Sequence, residues 1–387
     1  MIISFLLYFL IALLPLGVIL RIPLAVSDIH LYLQDLVVFF LSLILLFLHA
    51  GKKKKIPITK RIKLFALFVV IALLSLIVNI VNLLPNQIFT SSLYLVRIAV
   101  YFSVYLAVLS FEKKGKILDF LFLSGFISSV LGILQYFLYP NLANLVYLGF
   151  DPHQGRIFGA FLDPNFFGII AVLTLILGNY QLHFKKRGGI FYLLAIFLIV
   201  FALVFSFSRS SYLAFFSAMI CFLVLTKKFT PVLANILFFV FFLAFIPKTS
   251  GLESVNLVRT STVNARVDNY LKGLALIKKQ FLLGVGFNTL RYLKEDSLQS
   301  HEREKYYNNA GAGYDSSLIF LWATTGIFGL LAFLAFFGLS FFQKGSFKIL
   351  VIPSSLAVFV HSLFINSLFF APVLFWLFLI WGISDDS

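Results

Sequence analysis

Long apolar runs separated by short polar breaks dominate this sequence. The runs fall at 2–20, 30–49, 63–83, 90–110, 116–138, 166–182, 189–207, 211–226, 231–247, 316–341, 349–368 and 370–383. As helices, runs of this size cross the about 30 Å of hydrocarbon in a bilayer, so about twelve transmembrane helices are predicted. The last two are short, and a re-entrant pair is the alternative there. No run alternates with the two-residue period of an outer-membrane strand, so the fold class is all-α integral membrane. The first run has no Lys or Arg ahead of it and is read as a span, since a cleavable signal peptide carries a basic leader. No strong internal repeat or low-complexity linker divides the chain, so 1–387 is expected to be a single polytopic membrane domain.

The polar breaks supply an orientation. Lys52, Lys53, Lys54, Lys55, Lys60, Arg61 and Lys63 follow the second run, and Lys113, Lys114 and Lys116 follow the fourth. Lys185, Lys186 and Arg187 follow the sixth, Lys227 and Lys228 the eighth, and Lys344 and Lys348 the tenth. All lie on one side, which the positive-inside rule makes cytoplasmic, together with both termini. The short breaks on the other side carry few basic residues beyond Arg21, Arg156 and Arg209.

Composition changes the picture in two ways. With 61% hydrophobic and 12% charged residues among 387, the chain lies far from soluble usage of about half apolar and a quarter charged. The net charge of +16 would suggest nucleic acid in a soluble protein. Here those charges orient the spans, so membrane lipid and no nucleic acid is the expected surrounding. A lone cysteine, Cys221, rules out a disulfide framework.

Two outer segments are not apolar: 140–165 and the long extracytoplasmic loop 248–314. In the loop, Val267, Tyr270, Leu271, Leu274, Ile277 and Phe281 recur at helical spacing, with Arg266, Lys272 and Lys279 elsewhere on the wheel. A basic amphipathic helix lying on the outer membrane surface is predicted, ended by Gly284-Val285-Gly286.

Candidate chemistry gathers on the same side. Arg97 sits about two turns inside the fourth run, where it either snorkels to the interface or opens an anion site. Arg156 precedes Asp163-Pro164-Asn165, a helix-capping sequence whose N-terminus with a nearby arginine suits phosphate. Arg209 stands in Ser208-Arg209-Ser210, between the seventh and eighth runs. Three arginines at one depth predict a polyanionic headgroup, because guanidinium binds phosphate in a bidentate fork. His301 and Asp315, before the tenth run, are candidate general bases. His153 and His361 stand alone without ligand spacing, so neither a metal site nor another cofactor is expected.

These motifs in this order resemble the O-antigen ligase and polymerase family of bacterial membrane glycosyltransferases. The resemblance rests on Arg97, on Arg156 and Gly159 with Asp163-Pro164-Asn165, and on Ser208-Arg209-Ser210. It continues through the Arg266-to-Phe281 helix, Gly284-Val285-Gly286, Tyr314-Asp315-Ser316-Ser317-Leu318 and Thr325-Gly326-Ile327-Phe328-Gly329. It implies a C-type glycosyltransferase architecture with a long periplasmic loop, in the cytoplasmic membrane. It also implies metal-independent, inverting transfer of a glycan from an undecaprenyl-diphosphate-linked oligosaccharide donor to lipid A core or a carrier-linked glycan. The implied diphosphate ligands are Arg97, Arg156, Arg209 and Arg266, and Asn165, Arg291 and Tyr314 join the candidate binding set. One departure matters: Tyr314-Asp315 stands where the family has His-Asn or His-Asp, leaving His301 or Asp315 as base. The rival class is a multi-pass transporter or lipid-linked glycan flippase, which would place ionisable residues near the midplane.

Overall fold

A computed structural model describes residues 2–23, 30–51, 57–109, 111, 114–184, 189–246, 255–257, 260–295 and 313–385. Every predicted apolar run contains a helix. In order these are α1 (Ile2–Leu13), α2 (Leu33–Ala50), α3 (Lys60–Val78), α4 (Pro85–Leu109), α5 (Lys114–Leu138) and α6 (Pro164–Phe184). There follow α7 (Gly189–Val204), α8 (Arg209–Thr226) and α9 (Phe229–Ala244), then two helices of the long polar loop, α10 (Ser261–Lys279) and α11 (Leu290–Glu295). The chain closes with α12 (Ser317–Gly338), α13 (Lys348–Ser362) and α14 (Ala371–Ser384). Seven, namely α2, α3, α4, α5, α6, α8 and α12, are long and apolar enough to cross a bilayer by length and composition. The other apolar helices are shorter. The all-α expectation overlooks one small feature, an antiparallel hairpin pairing Arg21–Pro23 (β1) with His30–Tyr32 (β2).

The bundle is built around α6, which packs against α5, α7, α8 and α13. Small residues set the crossings: a Cβ on Gly125 would overlap Thr174, and one on Gly168 would overlap Ser211. Such contacts let backbones approach where lipid offers no hydrophobic drive for association. α14 is buried along its whole length, including Trp376 and Trp381, as a helix apolar on every face should be.

Two features tie distant parts of the chain. At one end, the guanidinium of Arg61, only 1% exposed, pairs with Asp385 at 2.7 Å and lies 4.6 Å over the Trp381 ring. Tyr105 donates to the same carboxylate at 2.9 Å, as does Gln343. The sequence expectation for Arg61 is a solvated orienting charge; instead it is a buried partner of the C-terminal helix.

At the other end, α12 is broken at Gly326, whose φ of 66° lies in the left-handed region. The segment after α10 fills the break: Ile327 N donates to Phe281 O (2.9 Å), Val285 N to Ala323 O (3.0 Å) and Gly286 N to Thr324 O (3.1 Å). Ser75 on α3 donates to the carbonyls of Leu283 (2.5 Å) and Thr324 (2.7 Å), and Asn79 to that of Gly284 (3.1 Å). Non-helical backbone survives at membrane depth only where protein satisfies it in this way. The Gly-Val-Gly and Thr-Gly-Ile-Phe-Gly motifs are therefore two halves of one junction. Gly326→Ala adds a Cβ that collides with the Leu282 carbonyl at an unfavourable φ. It is expected to destabilise by about 3 kcal/mol or more, read as loss of folded protein in fluorescence-detected gel filtration.

Candidate functional site

The N-terminal ends of α6 and α8 meet through side chains that also start them. Asp163 Oδ1 accepts from the backbone N–H of Asn165 (2.6 Å) and Phe166 (3.4 Å), capping α6 as its position before Pro164 predicts. Ser208 Oγ accepts from Ser211 N (3.4 Å), capping α8, and donates to Asn165 Oδ1 (2.8 Å). Ser211 Oγ donates to the Asn165 carbonyl at 3.3 Å. The Asp-Pro-Asn and Ser-Arg-Ser motifs thus form one knot, which fixes where Arg209 leaves the backbone.

Arg156 supports that knot from behind. It is 3% exposed and donates to the carbonyls of Ser206 (2.8 Å) and Phe207 (3.2 Å), at the turn just before Arg209. Gln135 Oε1 in turn accepts from the N–H groups of Phe158 and Gly159 (2.9 and 3.0 Å), holding the Arg156 loop to α5. The expectation that Arg156 faces an anion gives way to a bracing role: its guanidinium is turned into the protein.

Arg97 departs further from expectation. Its Nε donates to Asp35 Oδ1 at 2.9 Å, its Nη2 reaches Asp35 Oδ2, and its guanidinium lies 4.8 Å over the Tyr32 ring. Tyr101 Oη and Tyr32 N complete the carboxylate, each at 2.8 Å. Arg97 is thus engaged with Asp35 on α2, whereas Arg156 donates to the Ser206 and Phe207 carbonyls and Arg209 to that of Leu257. Asp35, the partner of Arg97 and the one acid in the first turn of α2, lies 62 residues away along the chain.

The second arginine beside Arg209 is Arg266 on α10, close enough for the two charges to repel. Arg209 also donates to the Leu257 carbonyl at 3.4 Å, whereas Arg266, half-buried, has no hydrogen-bond or ion-pair partner among the described residues. α10 packs on α12 with Gly273 against Ile319 and Tyr314, and Tyr270 Oη donates to the Leu363 carbonyl beyond α13. Asn269 Oδ1 accepts from Asp315 N at 3.0 Å. The helix therefore brings Arg266 and the start of α12 to one place.

Tyr314 is 5% exposed and packed there, and burial pushes its hydroxyl above the ordinary tyrosine range. Asp315 is half-buried with its charge felt at Tyr270 and Asp151. Burial first, then the carboxylates of Asp163 and Asp315, raise the Asp151 carboxyl above its usual range. Asp151, His153 and Asp163 place ligating atoms within 4.8 Å of one another, a grouping that the lone-histidine reading of the sequence did not foresee. Asp163 is already engaged as a helix cap. Arg291 is half-buried on α11, and His301 lies outside the described residues.

Sequence reasoning reads His361, at the C-terminal end of α13, only as a lone histidine without ligand spacing. It is fully buried, its ring faces the Asn165 backbone, and it feels the Arg266 charge. Its only signal in the sequence is a polar residue near the outer end of an apolar run.

Residues 194–334, from α7 through most of α12, match the family model described as O-antigen ligase. The resemblance read from the motifs is borne out over that stretch, which contains Arg209, Arg266, Arg291, Tyr314 and Asp315. No curated protein matches the chain.

Proposed function

From the premise that this membrane protein carries the O-antigen ligase domain, we propose that it transfers a glycan from an undecaprenyl-diphosphate carrier to an acceptor sugar. The reaction takes place on the outer face of the cytoplasmic membrane, with twelve spans and both termini cytoplasmic. The observation that supports this reading best is the pair Arg209 and Arg266, one cation of which has no protein counter-charge among the described residues. Two guanidinium groups held together against their own repulsion suit a diphosphate, which each can grip through two oxygens. Transport is less favoured, because these charges lie at the ends of helices and on a surface helix rather than at the midplane of broken repeats.

In this mechanism the acceptor hydroxyl oxygen attacks the anomeric carbon, the carbon–oxygen bond to phosphate breaks, and undecaprenyl diphosphate leaves with the electron pair. The configuration at that carbon inverts. Arg209 and Arg266 stabilise the charge growing on the leaving diphosphate, the step at which preorganised cations contribute most. The hydroxyl proton passes to Asp315 or His301. Asn165 and Arg156 keep Arg209 in register, and no metal is required by these steps.

Purified protein given undecaprenyl-diphosphate oligosaccharide, with and without lipid A core, is expected to yield a lipid-A-linked product or a carrier-linked ladder. The two identify ligase and polymerase respectively. Asp315→Ala and His301→Ala then separate the candidate bases: one is expected to lower turnover by about 10²-fold or more while the other leaves it largely intact. Full activity in both variants would remove this assignment of the base.

A further inference from the structure

The amphipathic helix α10 has three faces rather than the predicted two. Arg266, Asn269, Tyr270, Gly273, Leu276 and Ile277 are half-buried or buried and pack toward α12 and the site. Asn264, Asp268, Lys272, Ala275 and Lys279 form a second, exposed and mostly polar ridge. The third ridge is Val263, Val267, Leu271 and Leu274, apolar yet 44%, 50%, 60% and 43% exposed. At about 100° per residue the three ridges lie roughly a third of a turn apart. The single apolar face expected from the sequence is therefore divided, with Tyr270 and Ile277 turned to the protein and Val267, Leu271 and Leu274 turned away from it.

We propose that this third ridge is seated in the outer leaflet of the bilayer, so that α10 lies in the membrane interface with Arg266 at headgroup depth. The protein itself indicates this occupant. The ridge continues past the end of α10 into exposed Phe281 and Leu282. The Phe281 carbonyl accepts from Ile327 N at the break of α12, and α12 directly beyond exposes Phe328 and Leu331, side chains of a helix long enough to span. The apolar ridge of α10 and the lipid-facing side of α12 are thus one continuous surface. The polar ridge, with Lys272 and Lys279, faces the water side, the arrangement of a helix held at an interface. Lys278 falls on the apolar ridge itself, in the last turn of α10, where its aliphatic stem can lie in lipid and its ammonium reach the headgroups.

The seating does not depend on the transfer reading, and its test needs no activity. In the full-length chain with its lone cysteine replaced (Cys221→Ser), single cysteines at Val267, Leu271, Lys272 or Ala275 carry a bimane label. The protein is reconstituted in phosphatidylethanolamine–phosphatidylglycerol nanodiscs, where both faces are open to solvent. Lipids with a doxyl group near the headgroup are expected to quench labels at 267 and 271 at least about twofold more than those at 272 and 275, and aqueous iodide the reverse. Equal response of the two ridges to iodide overturns the proposal. So does shielding of 267 and 271 from both quenchers, the signature of a second copy or another protein covering the ridge.

Discussion

Arg266→Ala is expected to lower glycan transfer by about 10²-fold or more while the protein stays folded. The combination is unusual for an arginine beside a membrane and follows from its surroundings. Arg266 has no hydrogen-bond or ion-pair partner among the described residues, so its removal strands no carboxylate among them. It also relieves repulsion with Arg209, so the melting temperature should hold or rise slightly. What is lost is charge at the leaving group, worth most in the transition state. Arg266→Lys should recover a small part of the rate, since an ammonium keeps the charge and loses the fork. The measurement is turnover of undecaprenyl-diphosphate oligosaccharide alongside thermal unfolding of the same sample; an alanine variant within about threefold of wild type would end the diphosphate assignment.

The Asp35–Arg97 pair should behave in the opposite sense. Asp35→Asn leaves a half-buried guanidinium without its carboxylate, and Arg97→Gln leaves a buried carboxylate with only Tyr101 and the Tyr32 backbone. Each single change is expected to cost about 3–5 kcal/mol, as when one partner of a buried pair is removed. The double variant should recover much of that loss, because two neutral amides can bond to each other without desolvated charge. Transfer activity per folded molecule is the deciding readout. If Arg97 gripped the donor, the double variant would be folded and inactive; a clasp between α2 and α4 leaves it folded and active.

The contrast between these arginines shows where the sequence is legible. Each apolar run is a local property of consecutive side chains, and each contains a helix. Asp163 before Pro164 and Ser208 before Arg209 announce helix starts in the same local way, and both side chains cap. The partner of Arg97 is not local: Asp35 and Arg97 stand on different helices, and nothing around either residue names the other. Arg156 looked like a ligand because it is a cation in an outer loop, and only the fold reveals two carbonyls waiting for it. Likewise the apolar period of α10 was visible, but whether Tyr270 or Leu271 faces protein depends on α12, which lies far along the chain. His361 carried almost no signal, since a single histidine at the end of a run is an ordinary sight until its burial and proximity to Arg266 are known.

The clasp between Arg61 and Asp385 has a practical corollary for mapping the topology with reporter enzymes. Serial truncation, in which a reporter replaces everything downstream of the fusion point, deletes Asp385 from every hybrid that stops short of it. Arg61, together with Tyr105 and Gln343 where these are retained, then faces an empty position. Such hybrids would be degraded or inserted abnormally for reasons unrelated to the sidedness of the loop under study. Sandwich insertions that retain the last helix, or labelling of single cysteines in the intact chain, avoid that artefact.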